Sequence, residues 1–349
     1  MEVILNMKLN MKLNICIVFG GMSSEHSISC MSAYNVIKYI SKEKYDISVI
    51  GIDINGEFFK YIGDIENIKN NKWREDLNNL VKIDSILNEV KKYDSIFPVM
   101  HGRYVEDGSI QGIFEFAKVK YVGNNIEGSS IGYNKILSKY LVQNIGIDVV
   151  PYISFSKYDI LTIENISTKI ENNNLKFPLF VKPNKEGSSY GVRKANNNIE
   201  LKEAIEYSLT FDSEVLVEEF IDNKKEVECS VLGNTNLIVS EPGEIVINSD
   251  VYDFDSKYND KTSHTQIPAN INKIKLSKIK EYSEKIFKQL KLLGLARIDF
   301  FVTENKIYFN EVNTMPGFTD ISMYPKMMEY IGISYTELLD RLIECSINR

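Results

Sequence analysis

The sequence predicts an N-terminal α/β domain built on a parallel sheet, followed by a more antiparallel α+β region. Three observations carry that reading. Apolar strand-type runs alternate with helix-type segments from residue 14 to residue 118. The later runs FPLFVKPN, EVLVEEFI and VECSVLG read as strands of a second region. RIDFFVTENKIYFNEVN, residues 297–313, reads as one hairpin. A chain of 349 residues exceeds one ordinary core and suits two or three domains.

The elements follow in order. NMKLNMKLN (6–14) repeats a four-residue unit, so residues 1–10 read as an extension and Met11 as a candidate start. NICIVFGG (14–21) is a short apolar strand ending in two glycines. Residues 23–40 form a helix with Ser23 or Ser24 as N-cap. YDISVIGID (45–53) and YDSIFPVMHG (93–102) are further strands, and EDGSIQGIFEFAK opens a helix. Residues 56–92, rich in Asn and Lys, read as a surface excursion. GYNKILSKYLVQNIG (132–146) is a helix stopped by Gly146. Pro151 and the Asn run at 171–174 mark loops. Residues 272–294 form an amphipathic helix ended by Gly294, and a last helix covers about 335–346.

Composition excludes some classes. The hydrophobic share of 44% and the charged share of 26% are those of a soluble globular chain. A net charge of −7 gives no general affinity for nucleic acid. No apolar run reaches membrane-spanning length, and the start lacks a signal-peptide core. Cys16, Cys30, Cys229 and Cys345 are scattered without metal-type pairing, which points to reduced thiols in a cytoplasm, with Cys16 as buried filler.

The hairpin carries the first chemical signal. With Glu304–Lys306 as its loop, Asp299 faces Glu311 and Arg297 faces Asn313; a two-residue loop would put the carboxylates on opposite faces. Like charges facing across a strand pair destabilise it unless neutralised. A solvated sheet face is one reading. Phe300, Phe301, Ile307, Phe309 and Val312 favour a buried pair that takes a cation, and carboxylate and amide oxygens suit Mg²⁺ bridging to phosphates. Arg297 on that face could stabilise a transferring phosphoryl group. FVKPNKEGSSYGV (180–192) places a strand-end lysine before Gly187, Ser188, Ser189 and Gly191, a loop whose N–H and hydroxyl groups can approach phosphate. It is not the P-loop order, because the lysine comes first, and a plain turn is the simpler reading of GSSxG alone. In LVEEFIDNKKEVECSV, strand-end acids could bind nucleotide hydroxyl or amino edges, or form a solvated turn.

Together, the lysine before a Gly-Ser loop, the VEEFI strand end and RIDFF…NEVNTMPG resemble the ATP-grasp fold. GGMSSEHSIS, HGRYVEDGSIQG, KPNKEGSSYGV, YDFDSKY and NEVNTMPGFTDISMYPKM resemble the D-alanine–D-alanine ligases, over nearly the whole chain from about Lys12. The resemblance implies an N-terminal βαβ domain (11–123), a central ATP-grasp subdomain with the glycine-rich loop (124–218) and a C-terminal subdomain (219–349) carrying a closing loop at 247–262 and the hairpin. It implies cytoplasmic synthesis of D-alanyl-D-alanine from ATP and two D-alanines through an acyl phosphate, with two Mg²⁺ or Mn²⁺ ions, in a homodimer.

By the same resemblance, Lys135 and Lys182 contact ATP phosphates, with Glu186, Ser188 and Ser189 in the loop over them. Glu218 and Glu226 hold the adenine and ribose end, with Glu219 and Ile221 at the base. Asp299, Glu311 and Asn313 ligate the metal ions, and Arg297 and Gly317 stabilise the reacting oxygens. Glu25 anchors the first substrate's ammonium, and His101 lies near its carboxylate. Lys257 and Ser322 bind the second carboxylate, and Tyr258 bonds Ser188 and Glu25. Relatives making D-alanyl-D-lactate have histidine at Tyr258, and D-serine users often have arginine at Met323, so this chain is expected to prefer D-alanine. Two positions depart from the pattern. Val105 stands where the family has glycine, which bears on that loop's shape because a β-branched residue disfavours positive φ. Asn134 stands where it has aspartate. A D-serine ligase, a silent nucleotide-binding regulator and, more remotely, a carboxylating ATP-grasp enzyme are the alternatives.

Overall fold

The computed structural model describes residues 12–246 and 264–349. The expected extension, and the closing loop with Lys257 and Tyr258, lie outside the described residues.

The first unit contains β1 (Leu13–Gly20), α1 (His26–Tyr39), β2 (Tyr45–Ile52), β3 (Phe58–Tyr61), α2 (Ile65–Lys69), β4 (Leu80–Lys82), α3 (Ile86–Val90), β5 (Ser95–Pro98) and α4 (Ser109–Ala117). Its sheet runs β4-β3-β2-β1-β5. β2, β1 and β5 are parallel, which buries β1 from Ile15 onward and explains its unbroken apolar run. Gly20 has φ +89°, and a Cβ there would sit 2.2 Å from the Ile52 carbonyl oxygen, so only glycine turns the chain out of the sheet here.

Residues 56–92 are not a surface excursion. They add β3 and β4 antiparallel to the sheet edge and deliver Trp73, which is fully buried against the rings of Phe19, Phe59 and Tyr61. A few aromatics among many polar residues form this wall, so average composition conceals it. The α1 N-cap is Glu25 rather than Ser23 or Ser24, and it makes no side-chain cap bond. The Ser23 hydroxyl instead donates to the His101 carbonyl at 2.6 Å.

The expected helix over 132–146 is two helices, α5 (Ile126–Tyr133) and α6 (Lys135–Gln143). Asn134 breaks them by capping α6, its side-chain oxygen accepting from the Leu137 N–H at 2.9 Å. A four-stranded antiparallel sheet follows, built from β6 (Tyr152–Ser156), β7 (Leu179–Pro183), β8 (Arg193–Ala195) and β9 (Glu214–Glu219) in the order β6-β9-β7-β8, with α7 (Ile163–Asn172) and α8 (Asn198–Ser208) between strands.

The second antiparallel sheet has six strands. They are β10 (Lys225–Gly233), β11 (Ile238–Val239), β12 (Gly243–Val246), β13 (His264–Gln266), β14 (Gly294–Val302) and β15 (Ile307–Asn313), ordered β13-β12-β10-β14-β15 with β11 on β10. The intervening α9 (Lys273–Gln289) stops before Gly294: Lys291 takes the left-handed conformation at φ +58°, and Gly294 begins β14.

α10 (Met323–Tyr330) and α11 (Tyr335–Ile347) close the chain. They return to the first unit, where Tyr324, Leu338, Leu339 and Leu342 share one apolar core with Ile15, Phe19 and Phe97. Ser346 bonds Ser95 at 2.7 Å, and Lys44 pairs with Asp340 at 2.7 Å. This docking brings the segment after the hairpin beside α1.

Candidate active site

The hairpin sets the centre. Its turn is tighter than expected: the Thr303 N–H donates to the Lys306 carbonyl at 2.9 Å, so the loop is the two residues Glu304 and Asn305, and Val302 faces Ile307. That register alone would separate the carboxylates. A bulge between Asp299 and Phe300 absorbs one residue of β15 and restores the pairs Asp299–Glu311 and Arg297–Asn313. Since β10 pairs with β14 on the other side, Glu228 lies opposite Asp299, and Glu228, Asp299 and Glu311 span three adjacent strands. The other face, with Ile298, Phe300, Val302, Val227 and Cys229, is apolar core.

Arg297 holds this row together. Its Nε and a terminal nitrogen donate to the two Asp299 oxygens at 2.8 and 2.7 Å, and Nε lies 3.0 Å from Glu228. Asn313 adds a bond to Asp299 at 3.0 Å. Burial works against the guanidinium charge, but Asp299 and Glu228 outweigh it and hold its pKa well above the ordinary value.

The four-stranded sheet contributes the opposite charge. Lys182 lies 2.7 Å from one oxygen of Glu218, and Lys139 of α6 lies 2.7 Å from the other. Desolvation pushes the Glu218 pKa up, yet the two lysines bring it down to about 2. Glu218 Oε1 is buried against Lys139, and Glu218 Oε2 against Lys182. Lys135, first residue of α6, donates to the Glu186 carbonyl at 2.6 Å and lies 3.5 Å from Glu311. Phe301 projects between the sides, with Lys224 3.6 Å and Lys182 5.7 Å from its ring centre.

The glycine-rich loop crosses the cleft. Ser188 and Ser189 take φ +49° and +60°, and the Ser188 hydroxyl donates to Glu25. Deeper in, His101 bonds the Met315 carbonyl and Ser32, each at 3.0 Å. Glu106 accepts from the Gly102 N–H at 2.9 Å and the Met315 N–H at 3.4 Å. Desolvation and the nearby Glu25 push the Glu106 pKa up to about 7. A Cβ on Gly317 would stand 2.6 Å from the Ser322 hydroxyl, so glycine is needed for that approach.

Two cavities result. One of about 440 Å³ is lined by Glu25, His101, Glu106, Gly317, Ser322 and Met323; the other, about 570 Å³, by Lys135, Lys182, Ser188, Glu218, Glu226 and Glu311. Both reach Arg297 and Glu228. A small-molecule site and a larger charged site therefore meet at one buried arginine.

Family models described as the D-ala D-ala ligase N-terminus and C-terminus match residues 14–124 and 141–344. The chain belongs to the D-alanine–D-alanine ligase family. A D-alanine–D-alanine ligase B of Clostridium tetani is 43% identical, with 97% of this chain and 94% of that one covered. A ligase of Acetivibrio thermocellus is 41% identical, covering 97% and 96%. Among solved structures, the VanG D-Ala:D-Ser ligase of Enterococcus faecalis has a TM-score of 0.87 at 40% identity, covering 96% of this chain and 100% of that one. The D-alanine-D-alanine ligase of Coxiella burnetii has 0.86 at 33%, covering 97% and 94%. The solved neighbours carry the ATP-grasp fold.

In this ligase-family chain the described candidates for substrate, ATP and metal binding all line one or both cavities; Lys257 and Tyr258 fall outside the described residues. Val105 leaves the loop intact: Gly102, Tyr104 and Gly108 take the positive φ values, and Val105 is buried beside Met100 and Ile110. Sequence reasoning passed over Glu106 and Lys139, and it noted Glu228 only as a strand-start acid beside Glu226, not as a partner of Arg297. Glu106 sits inside a quoted motif and Glu228 begins a strand beside Glu226, but Lys139 looked like one more helix lysine. Among the described residues no three His, Cys, Asp or Glu side chains gather to hold a metal. Asp299, Glu311 and the Asn313 amide are an incomplete set of hard oxygen donors, which fits Mg²⁺ completed by water and phosphate oxygens.

Proposed function

We propose that this protein joins two D-alanines at the expense of ATP, as a cytoplasmic homodimer supplying D-alanyl-D-alanine for cell-wall peptide. The observation that carries it is the meeting of the two cavities at Arg297. ATP occupies the larger cavity, its phosphates against Lys135, Lys182 and the N–H groups of the 186–189 loop, its base and ribose toward Glu218, Glu219, Ile221 and Glu226. Glu25 holds the first substrate's ammonium beside His101. Its carboxylate oxygen attacks the γ-phosphorus in line, ADP leaves, and an acyl phosphate forms. The second D-alanine's ammonium gives a proton to water and its amine attacks the acyl carbon; phosphate leaves from the tetrahedral centre, whose oxygens Arg297 and the Gly317 N–H stabilise. Ser322, on the smaller cavity, holds the second carboxylate. Asp299, Glu311 and Asn313 would hold two Mg²⁺ or Mn²⁺ ions. Bound there, the ions would supply charge to offset the triphosphate and polarise the γ-phosphoryl group.

The D-Ala:D-Ser ligase likeness favours D-serine as a second reading. Against it stands Met323, a buried apolar side chain on the smaller cavity that offers a serine hydroxyl no strong partner. The test is phosphate release with Mg-ATP, D-alanine alone against D-alanine plus D-serine, with the dipeptides identified by mass. Mainly D-alanyl-D-alanine supports the proposal, and EDTA should abolish release until Mg²⁺ is restored. Mainly D-alanyl-D-serine overturns the specificity argument but keeps the mechanism. No release in either mixture favours a silent nucleotide-binding protein.

A further inference from the structure

Lys139 is a buried charge that the mechanism above does not use. Its side chain is 1% exposed, packed 5.8 Å from the Phe309 ring centre and 3.5 Å from the Phe309 carbonyl oxygen. Its carboxylate contact is Glu218, itself only 2% exposed. Burying a lysine is costly, and a methionine would fill this apolar slot more cheaply. The energetic penalty requires a counterbalancing role.

The neighbour defines that role. Glu218 also pairs with Lys182, whose side chain is 20% exposed and lines the larger cavity. A lone Lys182–Glu218 pair would be neutral and would offer little to an anion. A second lysine behind the carboxylate changes the balance: burial lowers the Lys139 pKa and Glu218 opposes that fall, so with Lys139 protonated the group of three carries one surplus positive charge. Because Lys139 is walled off by Phe309, that surplus is available only through the Lys182 face.

We infer that Lys139 is a positioning residue for nucleotide binding: it holds Glu218 from behind so that Lys182 is fixed at the cavity wall and keeps a net positive charge toward the phosphates. The inference rests on reading that cavity as the nucleotide site. Its effect falls on phosphate affinity, and the reaction at Arg297 is on the other sheet.

The test uses Mg-ADP binding by calorimetry, which needs no ligation, on the full chain and on Lys139→Met. Wild-type protein that binds no ADP would refute the nucleotide-site reading itself. If wild type binds, Lys139→Met should weaken ADP about tenfold or more, raise KM for ATP by a similar factor, and change kcat and KM for D-alanine less than threefold. Unchanged ADP affinity, or an equal loss in all parameters, overturns the inference. A cycle with Glu218→Gln should be non-additive for ADP affinity, since Lys139 acts through Glu218; additive losses count against it. If Lys139→Met does not fold, Lys139→Arg replaces it. Folded protein with near wild-type ADP affinity then supports a charge requirement, whereas failure of both variants to fold marks the position as purely structural.

Discussion

On the six-stranded sheet, Arg297 lies between Asp299 and Glu228, whereas on the four-stranded side Glu218 lies between Lys139 and Lys182. Both groups are buried, and in both the central charge is saturated by its flanks. The balance differs in sign: the first leaves negative charge over and the second positive. The two sides partly offset each other across the cleft, as Lys135 and Glu311 do at 3.5 Å, and each also draws a ligand of opposite sign. A metal-bearing polyphosphate supplies both at once. Under the proposed function, the cleft would take a metal–nucleotide complex rather than either component alone.

The largest effects should come from removing a centre. Arg297→Ala should lower kcat about 10²–10³-fold, with KM for ATP much less affected; a change confined to KM would contradict its place at the reacting oxygens. It also leaves Asp299 and Glu228 facing each other, so urea unfolding should show a loss of about 3–5 kcal/mol. Glu218→Leu should destabilise by a similar amount, about 3–5 kcal/mol, but through two stranded lysines, and Mg-ADP or phosphate should partly restore its Tm. If phosphate restores Arg297→Ala equally well, the two sides do not differ in sign as described.

A smaller effect concerns Glu106, below the meeting point of the cavities. Its native pKa of about 7 lies above the ordinary 4.5. The native state therefore holds a proton that the unfolded chain has lost, so this contribution to stability is complete below about pH 4.5 and is lost as pH rises through about 7. Glu106→Gln should flatten urea midpoints between pH 5 and pH 8; an unchanged slope would mean the carboxyl is ionised throughout. Glu218 works in the opposite direction and in another window: its contribution is present above about 4.5 and is lost as pH falls toward about 2. The smallest effect is expected for Asn134→Ala, which removes the cap of the helix carrying Lys135 and Lys139. It should cost about 1 kcal/mol and weaken ADP more than it slows turnover, because only the positive side depends on that helix.

Much of this was legible before any coordinates. Phe300 and Phe309 beside Asp299 and Glu311 announced a buried hairpin with a charge to neutralise, and Lys182 before GSSYG announced an anion loop. Trp73 was hidden because β3 and β4 are short edge strands in a polar stretch, and pattern reading needs longer alternation than they provide. Lys139 was hidden because one helix lysine is the same letter whether solvated or buried.

The sequence by itself determined the elements and the chemical types at their ends: strand runs by apolar periodicity, turns by glycine and proline, and the same-face polar residues within β14 and within β15 by alternation. Those are short-range properties, written in neighbouring residues. Tertiary structure alone decided the register and the balance of charge. One bulged residue returned Glu311 to Asp299 after a tighter turn had displaced it, and the packing of α6 and α11 set which charges were desolvated and which faced the cleft. Pairing and burial depend on segments far apart in the chain, and their energies are fixed only when those segments meet.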